Sequence, residues 1–190
     1  MKDRTRILLF TIFLIVVATA SKLFFAPKLE WSGFSPIYAI ALFSGFVVKD
    51  KKISFILPLL ALFISDVLIQ FFYKVGMFPF AGFYKHQIIN YALLLLSTLI
   101  GWALKGKSIG SVVAGAVIAP TVFFLLSNFS VWETAGPYQI YPKTFNGLMA
   151  CYVAGLPFYE RALISTFVFL PIIILAYNYM VKRRSALVLA

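Results

Sequence analysis

The chain has 190 residues, 62% of them hydrophobic and only 12% charged, and its 17 Lys and Arg against 6 Asp and Glu leave a net charge of +11. Soluble domains are about half apolar and about a quarter charged, so this composition excludes a soluble globular protein. The basic residues gather at the ends of apolar runs, which makes the charge a matter of membrane topology and excludes nucleic acid as its partner. The single cysteine, Cys151, excludes an intramolecular disulfide.

The apolar runs predict an all-α membrane protein, one polytopic domain over residues 1–190 with six transmembrane helices at about 7–25, 35–48, 53–72, 87–104, 111–127 and 162–181. The first run follows a basic N-terminal stretch and contains Ala18-Thr19-Ala20. That order is also found in signal peptides, but the run is long enough to cross a bilayer and is read as a retained span. Ser35-Pro36 opens the second, a start that suits a helix because Pro is tolerated in the first turn with Ser ahead of it. At about 14 residues this segment is short for a crossing. Its small residues Ala41 and Gly45, four apart, permit close helix contact.

Lys49 to Lys52 form a charged turn before the third span, in which Pro58 introduces a kink and Asp66 and Gln70 are the polar residues. A loop containing Gly76, Pro79, Gly82 and His86 leads to the fourth span, Lys105-Gly106-Lys107 to the fifth. Between spans five and six lies an aromatic stretch from Asn128 to Glu160, with Trp132, Tyr138, Tyr141, Tyr152 and Tyr159 among Pro and Gly residues. It reads as an outer-side aromatic loop, and residues 146–156, too short to span, as a re-entrant or interfacial helix. Eleven of the 17 basic residues fall on one side of this scheme, at 2–6, 49–52, 105–107 and 182–184. The positive-inside rule makes that side cytoplasmic and places both termini there.

Polar groups are costly in hydrocarbon, so their positions carry information. Asp66 and Gln70 share a face of the third helix, Asn90 lies at the outer end of the fourth, and Asn128 at the outer end of the fifth. With His86, Trp132, Tyr141 and Tyr152 they outline an outward-facing ligand pocket, since small-molecule sites are apolar and aromatic concavities with a few convergent polar groups. The plainer alternative is an aromatic belt at the outer membrane interface. No catalytic residue, metal ligand or cofactor is assigned. Residues 101–108, GWALKGKS, fit the phosphate-loop pattern letter for letter. That loop must follow a strand and expose its amides to phosphate, whereas this one ends a membrane helix.

The segments 34–45 (FSPIYAIALFSG), 62–66 (LFISD), 123–132 (FFLLSNFSVW) and 141–158, beginning YPKT and ending LPF, together resemble an uncharacterised family of bacterial membrane proteins. That family in turn resembles the substrate-binding S components of energy-coupling-factor (ECF) vitamin transporters. The resemblance implies a multi-pass protein of the bacterial cytoplasmic (inner) membrane that binds and takes up a small nutrient, such as a vitamin or vitamin precursor. Its partners would be that small-molecule substrate, membrane lipid, and an ECF transmembrane subunit with its ATPases. The Ala-x-x-x-Ala docking pattern of such components is absent from the first span, which has only Ala18 and Ala20. A solitary carrier of cobalamin type therefore stands beside the docked one. An intramembrane or lipid-modifying enzyme using Asp66, Glu160 and Arg161, and a structural subunit of a membrane complex, are the readings from other classes.

Overall fold

The computed structural model describes residues 2–84, 87–134 and 140–182. They form helices α1 (Lys2–Phe25), α2 (Ile37–Val47), α3 (Lys51–Lys74), α4 (Gln87–Leu104), α5 (Ile109–Thr134) and α6 (Phe145–Tyr177), with a 3-10 turn at Leu29–Trp31 and a π-helical turn at Asn178–Lys182. Five of these helices are long and apolar enough to cross a membrane, and α2 is the exception. The outer faces of the five carry exposed Leu8, Val16, Ile56, Phe71, Leu99, Val117 and Leu175. Side chains of this kind meet acyl chains at no cost, so a multi-pass membrane protein is the class this surface fits.

The expected second span is therefore corrected to a half-length helix. At 1.5 Å per residue the 11 residues of α2 reach only about 16 Å, roughly half the hydrocarbon thickness. It is instead the centre of the bundle: Ala39 through Ser44 have no exposed surface, and α3, α4, α5 and α6 all pack on it. A helix apolar on every face is stable only when surrounded in this way. The crossing with α4 is close because both partners are glycine. A Cβ on Gly45 would lie 2.3 Å from the Thr98 carbonyl oxygen, and one on Gly101 would lie 2.7 Å from that of Leu42.

Proline supplies a second tie. Pro58 has no N–H, which frees the carbonyl four residues back at Ser54. That buried oxygen accepts the Ser44 hydroxyl of α2 at 2.7 Å. The opposite end of α2 is held by Ser165 of α6, whose hydroxyl donates to the Ser35 carbonyl at 3.0 Å. The Arg161 side chain likewise donates to the Glu30 carbonyl at 2.9 Å and lies over the Trp31 ring, fixing the α1–α2 connection against α6.

Two more expectations change between spans five and six. The helix expected to end near residue 127 continues as α5 to Thr134, because Lys143 donates to the Trp132 carbonyl at 2.7 Å and to that of Glu133, satisfying carbonyls that a helix end otherwise leaves open. Residues 146–156 are not a separate re-entrant helix. They are the opening turns of α6, capped by Thr144, whose hydroxyl accepts the Gly147 N–H at 3.2 Å. The helix runs on through both Gly155 and Pro157. Gly155 lets α6 approach α5, for a Cβ there would meet the Asn128 side chain at 2.5 Å.

Candidate functional site

Because α2 starts at mid-depth, the bundle is left hollow above it, at the end where α1, α3 and α5 finish and α4 and α6 begin. One cavity of about 280 Å³ is walled by Lys22 of α1, Ser35 and Ile37 at the start of α2, Asp66 and Ile69 of α3, Asn90, Tyr91 and Leu94 of α4, and Tyr84 of the α3–α4 loop. A second, of about 420 Å³, lies between Tyr38, Phe124, Ser127, Asn128, Phe158 and Tyr159. Tyr84, Asn90 and Phe123 line both, so the two are adjoining compartments sharing a partition. Their sizes fall around the lower end of the range for small-ligand pockets, about 300–1,000 Å³.

Asp66 is the electrostatic centre of the first compartment and is 4% exposed. Its Oδ1 is ion-paired with the Lys22 ammonium, and its Oδ2 accepts the Gln87 amide and, at 2.5 Å, the Tyr91 hydroxyl. Two helices, α1 and α4, thus deliver three donors to one carboxylate on α3, which is how a buried charge becomes tolerable. Gln87 is shared further: its amide nitrogen donates to the Gly82 carbonyl and its oxygen accepts the Tyr84 N–H, both at 3.2 Å. The same carboxylate network therefore sets the loop that carries Tyr84. Gly82 is required there, since a Cβ would lie 2.0 Å from the Asp66 carbonyl oxygen.

Several polar groups remain free to meet a ligand. The Tyr84 hydroxyl accepts the Asn90 amide at 2.8 Å, while its own proton has no acceptor among the described residues. More than half of the Tyr84 surface is exposed. Desolvation pushes the phenol above its usual range against the opposing Asn90 bond, and the nearby Asp66 charge adds to the rise, so the group stays a neutral donor. Tyr38 is 9% exposed and its hydroxyl has no partner among the described residues. Lys22 uses one of its three N–H bonds on Asp66.

The residues proposed from sequence are distributed as follows. Asp66 and Asn90 line the first compartment, and Asn90 and Asn128 the second. The Asn128 amide donates to the Phe124 carbonyl at 2.9 Å. Gln70 stands behind the wall, accepting the Phe83 N–H at 3.2 Å and so bracing the Tyr84 loop. Tyr152 is one layer further out, its hydroxyl donating to the Leu125 carbonyl at 3.0 Å and its ring against Phe124. Trp132 lines neither compartment: its indole N–H donates to the Pro142 carbonyl at 2.9 Å and Lys143 lies over its ring, closing the α5–α6 turn in which Tyr141 sits half-exposed. His86 lies outside the described residues. Glu160 and Arg161 pair with each other at 3.7 Å and line neither compartment.

Sequence reasoning missed Lys22, Tyr38, Tyr84 and Phe123. Lys22 had a signal, since a lysine interrupting an apolar run before its end is a functional candidate in its own right. The aromatic residues had none, because 18% of the chain is aromatic and their type says nothing about which face they occupy.

Among the described residues no group of His, Cys, Asp and Glu side chains is arranged to hold a metal ion. Residues 1–187 match a family of unknown function (DUF6580), and the chain belongs to that family. No curated protein and no solved structure matches it.

Proposed function

From a family to which no activity is attached, and from the hollow end of the bundle, we propose that the chain is a membrane-embedded binding protein that captures a small nutrient from the outer face and serves its uptake. The observation that carries this reading is the two-compartment cavity over the start of α2, lined by aromatic rings and by hydroxyl and ammonium donors without full partners. A purely structural subunit has no use for Lys22 and Asp66 facing a void inside the apolar bundle. The sign of the flanking charges puts both termini in the cytoplasm and the cavity mouth outside, in the cytoplasmic membrane of a bacterium. That arrangement is the one the resemblance to ECF S components implies, for a carrier working alone or docked on a transmembrane subunit driven by ATPases. Compartments of about 280 and 420 Å³ favour a one- or two-ring vitamin or precursor over a corrinoid of cobalamin type.

The test is purification in mild detergent followed by mass spectrometry of bound small molecules, and uptake of the identified compound by cells with and without the gene. A compound retained by the wild-type protein and lost when Phe123, on the partition, is replaced by Ala supports capture. Recovery of lipid alone, with no uptake difference, refutes it.

A further inference from the structure

The first compartment is asymmetric in what it offers a ligand. Both oxygens of Asp66 are already engaged, Oδ1 by Lys22 and Oδ2 by Gln87 and Tyr91, so a cationic ligand would have to share a carboxylate whose charge the Lys22 ammonium already balances. On the donor side the balance is the reverse. Lys22 has two N–H bonds left over, and its ammonium lines the cavity. Tyr84 lines the same cavity with an unassigned hydroxyl proton. The floor is the start of α2, where Pro36 provides no side-chain cap, so that the first-turn N–H groups have no side-chain partner and the positive end of the helix dipole faces Ser35 and Ile37 at the cavity wall. Tyr38, in that same first turn, is nine-tenths buried with an unpartnered hydroxyl at the adjoining compartment.

We propose that this compartment is an anion subsite, taking the carboxylate of a small ring-containing acid between Lys22, Tyr84 and the start of α2, while the ring occupies the aromatic compartment beyond Phe123. This rests on the small-molecule reading above and deepens it to a substrate class. The carboxylate is a second, exchangeable acceptor for Lys22, and Asp66 holds the lysine in place for it. Without Asp66 the ammonium would be a single charge inside an apolar bundle. With Asp66 alone the site would be closed to acids by repulsion.

The experiment uses the full chain in nanodiscs of zwitterionic lipid and three matched probes, 3-phenylpropionate, 3-phenylpropionamide and 3-phenylpropylamine, titrated at neutral pH. The expected result is binding of the carboxylate at least about tenfold more tightly than the amide, with the amine weakest. Lys22→Gln removes the charge and keeps a donor, and is expected to abolish the difference between carboxylate and amide. Should that variant fail to fold because Asp66 is left unpaired, the double variant Lys22→Gln/Asp66→Asn removes both charges and is expected to bind acid and amide alike. Tyr84→Phe is expected to reduce the preference without abolishing it.

Equal binding of acid and amide by the wild type, tighter binding of the amine, or a preference that survives loss of Lys22 overturns the anion subsite while leaving the cavity reading intact. No binding of any probe overturns both. Adding anionic phosphatidylglycerol to the disc distinguishes the source of the anion: unchanged affinity for the acid marks a water-soluble ligand, and competition marks a lipid headgroup in the same subsite.

Discussion

Replacing Lys22 by Met removes one partner of the charge pair at the centre of the bundle and leaves the other where it is. Asp66 and Lys22 side chains are 6% and 22% exposed, so little water reaches the carboxylate directly. Breaking a buried pair from one side costs about 3–5 kcal/mol. The lower figure applies here, because Oδ2 keeps Gln87 and Tyr91 and the adjacent cavity has room for water at Oδ1. For a chain of this length each kcal/mol moves Tm by roughly 2–4 °C, so a loss of about 3 kcal/mol predicts a fall of about 6–12 °C. Lys22→Met/Asp66→Asn removes both charges and is expected to melt within about 3 °C of wild type, since exchanging a whole buried pair for neutral groups is close to neutral. Cys151 is the only cysteine and is 2% exposed, which makes the natural chain its own reporter. A thiol-reactive fluorogenic dye lights up as the bundle opens on heating. A Lys22→Met protein that melts with wild type, or a double variant that melts lower than either single variant, would refute the pair as an interacting unit.

Further expected outcomes concern ligand affinity, packing and topology. Trp132 closes the α5–α6 turn and lies outside both compartments, so Trp132→Ala is expected to change ligand affinity less than about twofold. Phe123→Ala, which removes the shared partition, is expected to weaken it about tenfold, a loss of about 1.4 kcal/mol in the titration. Gly45→Ala forces a methyl group against the Thr98 backbone, where nothing flexible can give way. Overpacking of this kind costs about 1–3 kcal/mol and, placed at the central crossing, is expected to lower the dye-detected Tm by several degrees, whereas Gly76→Ala, with open space around it but positive φ, should cost less. For topology, cysteine introduced at exposed Ile140 is expected to react with an impermeant thiol reagent in intact cells and cysteine at exposed Ser108 to be protected, each in a Cys151→Ser background. The reverse pattern would turn the cavity toward the cytoplasm and end the capture reading.

Much of the secondary structure was determined by the sequence alone. A helix in lipid must satisfy its own backbone, so apolar stretches of spanning length become helices whatever surrounds them, and α1, α3 and α4 start and stop within a few residues of the apolar runs. The helix continuations were decided by partners elsewhere. Lys143 caps α5 from across the turn, and the packing of α6 on α5 and α2 carries it past Gly155 and Pro157.

The site divides in the same way. That Asp66 matters was legible, because a lone carboxylate in an apolar run needs a partner. That the partner is Lys22, 44 residues earlier, with Gln87 and Tyr91 sharing the other oxygen, was not. Which residues face one another depends on how each helix is rotated about its axis, and that rotation is set by close crossings such as Gly45 on Gly101. Trp132 and Tyr38 show the consequence: the conspicuous indole was turned to the surface by its bond to Pro142, and an ordinary tyrosine on the half-length α2 was placed at the cavity floor. The order of residues along the apolar runs specifies that aromatic and polar groups collect at one end of this bundle. Only the packing of α2 among its neighbours decides that a hollow forms there and which side chains open into it.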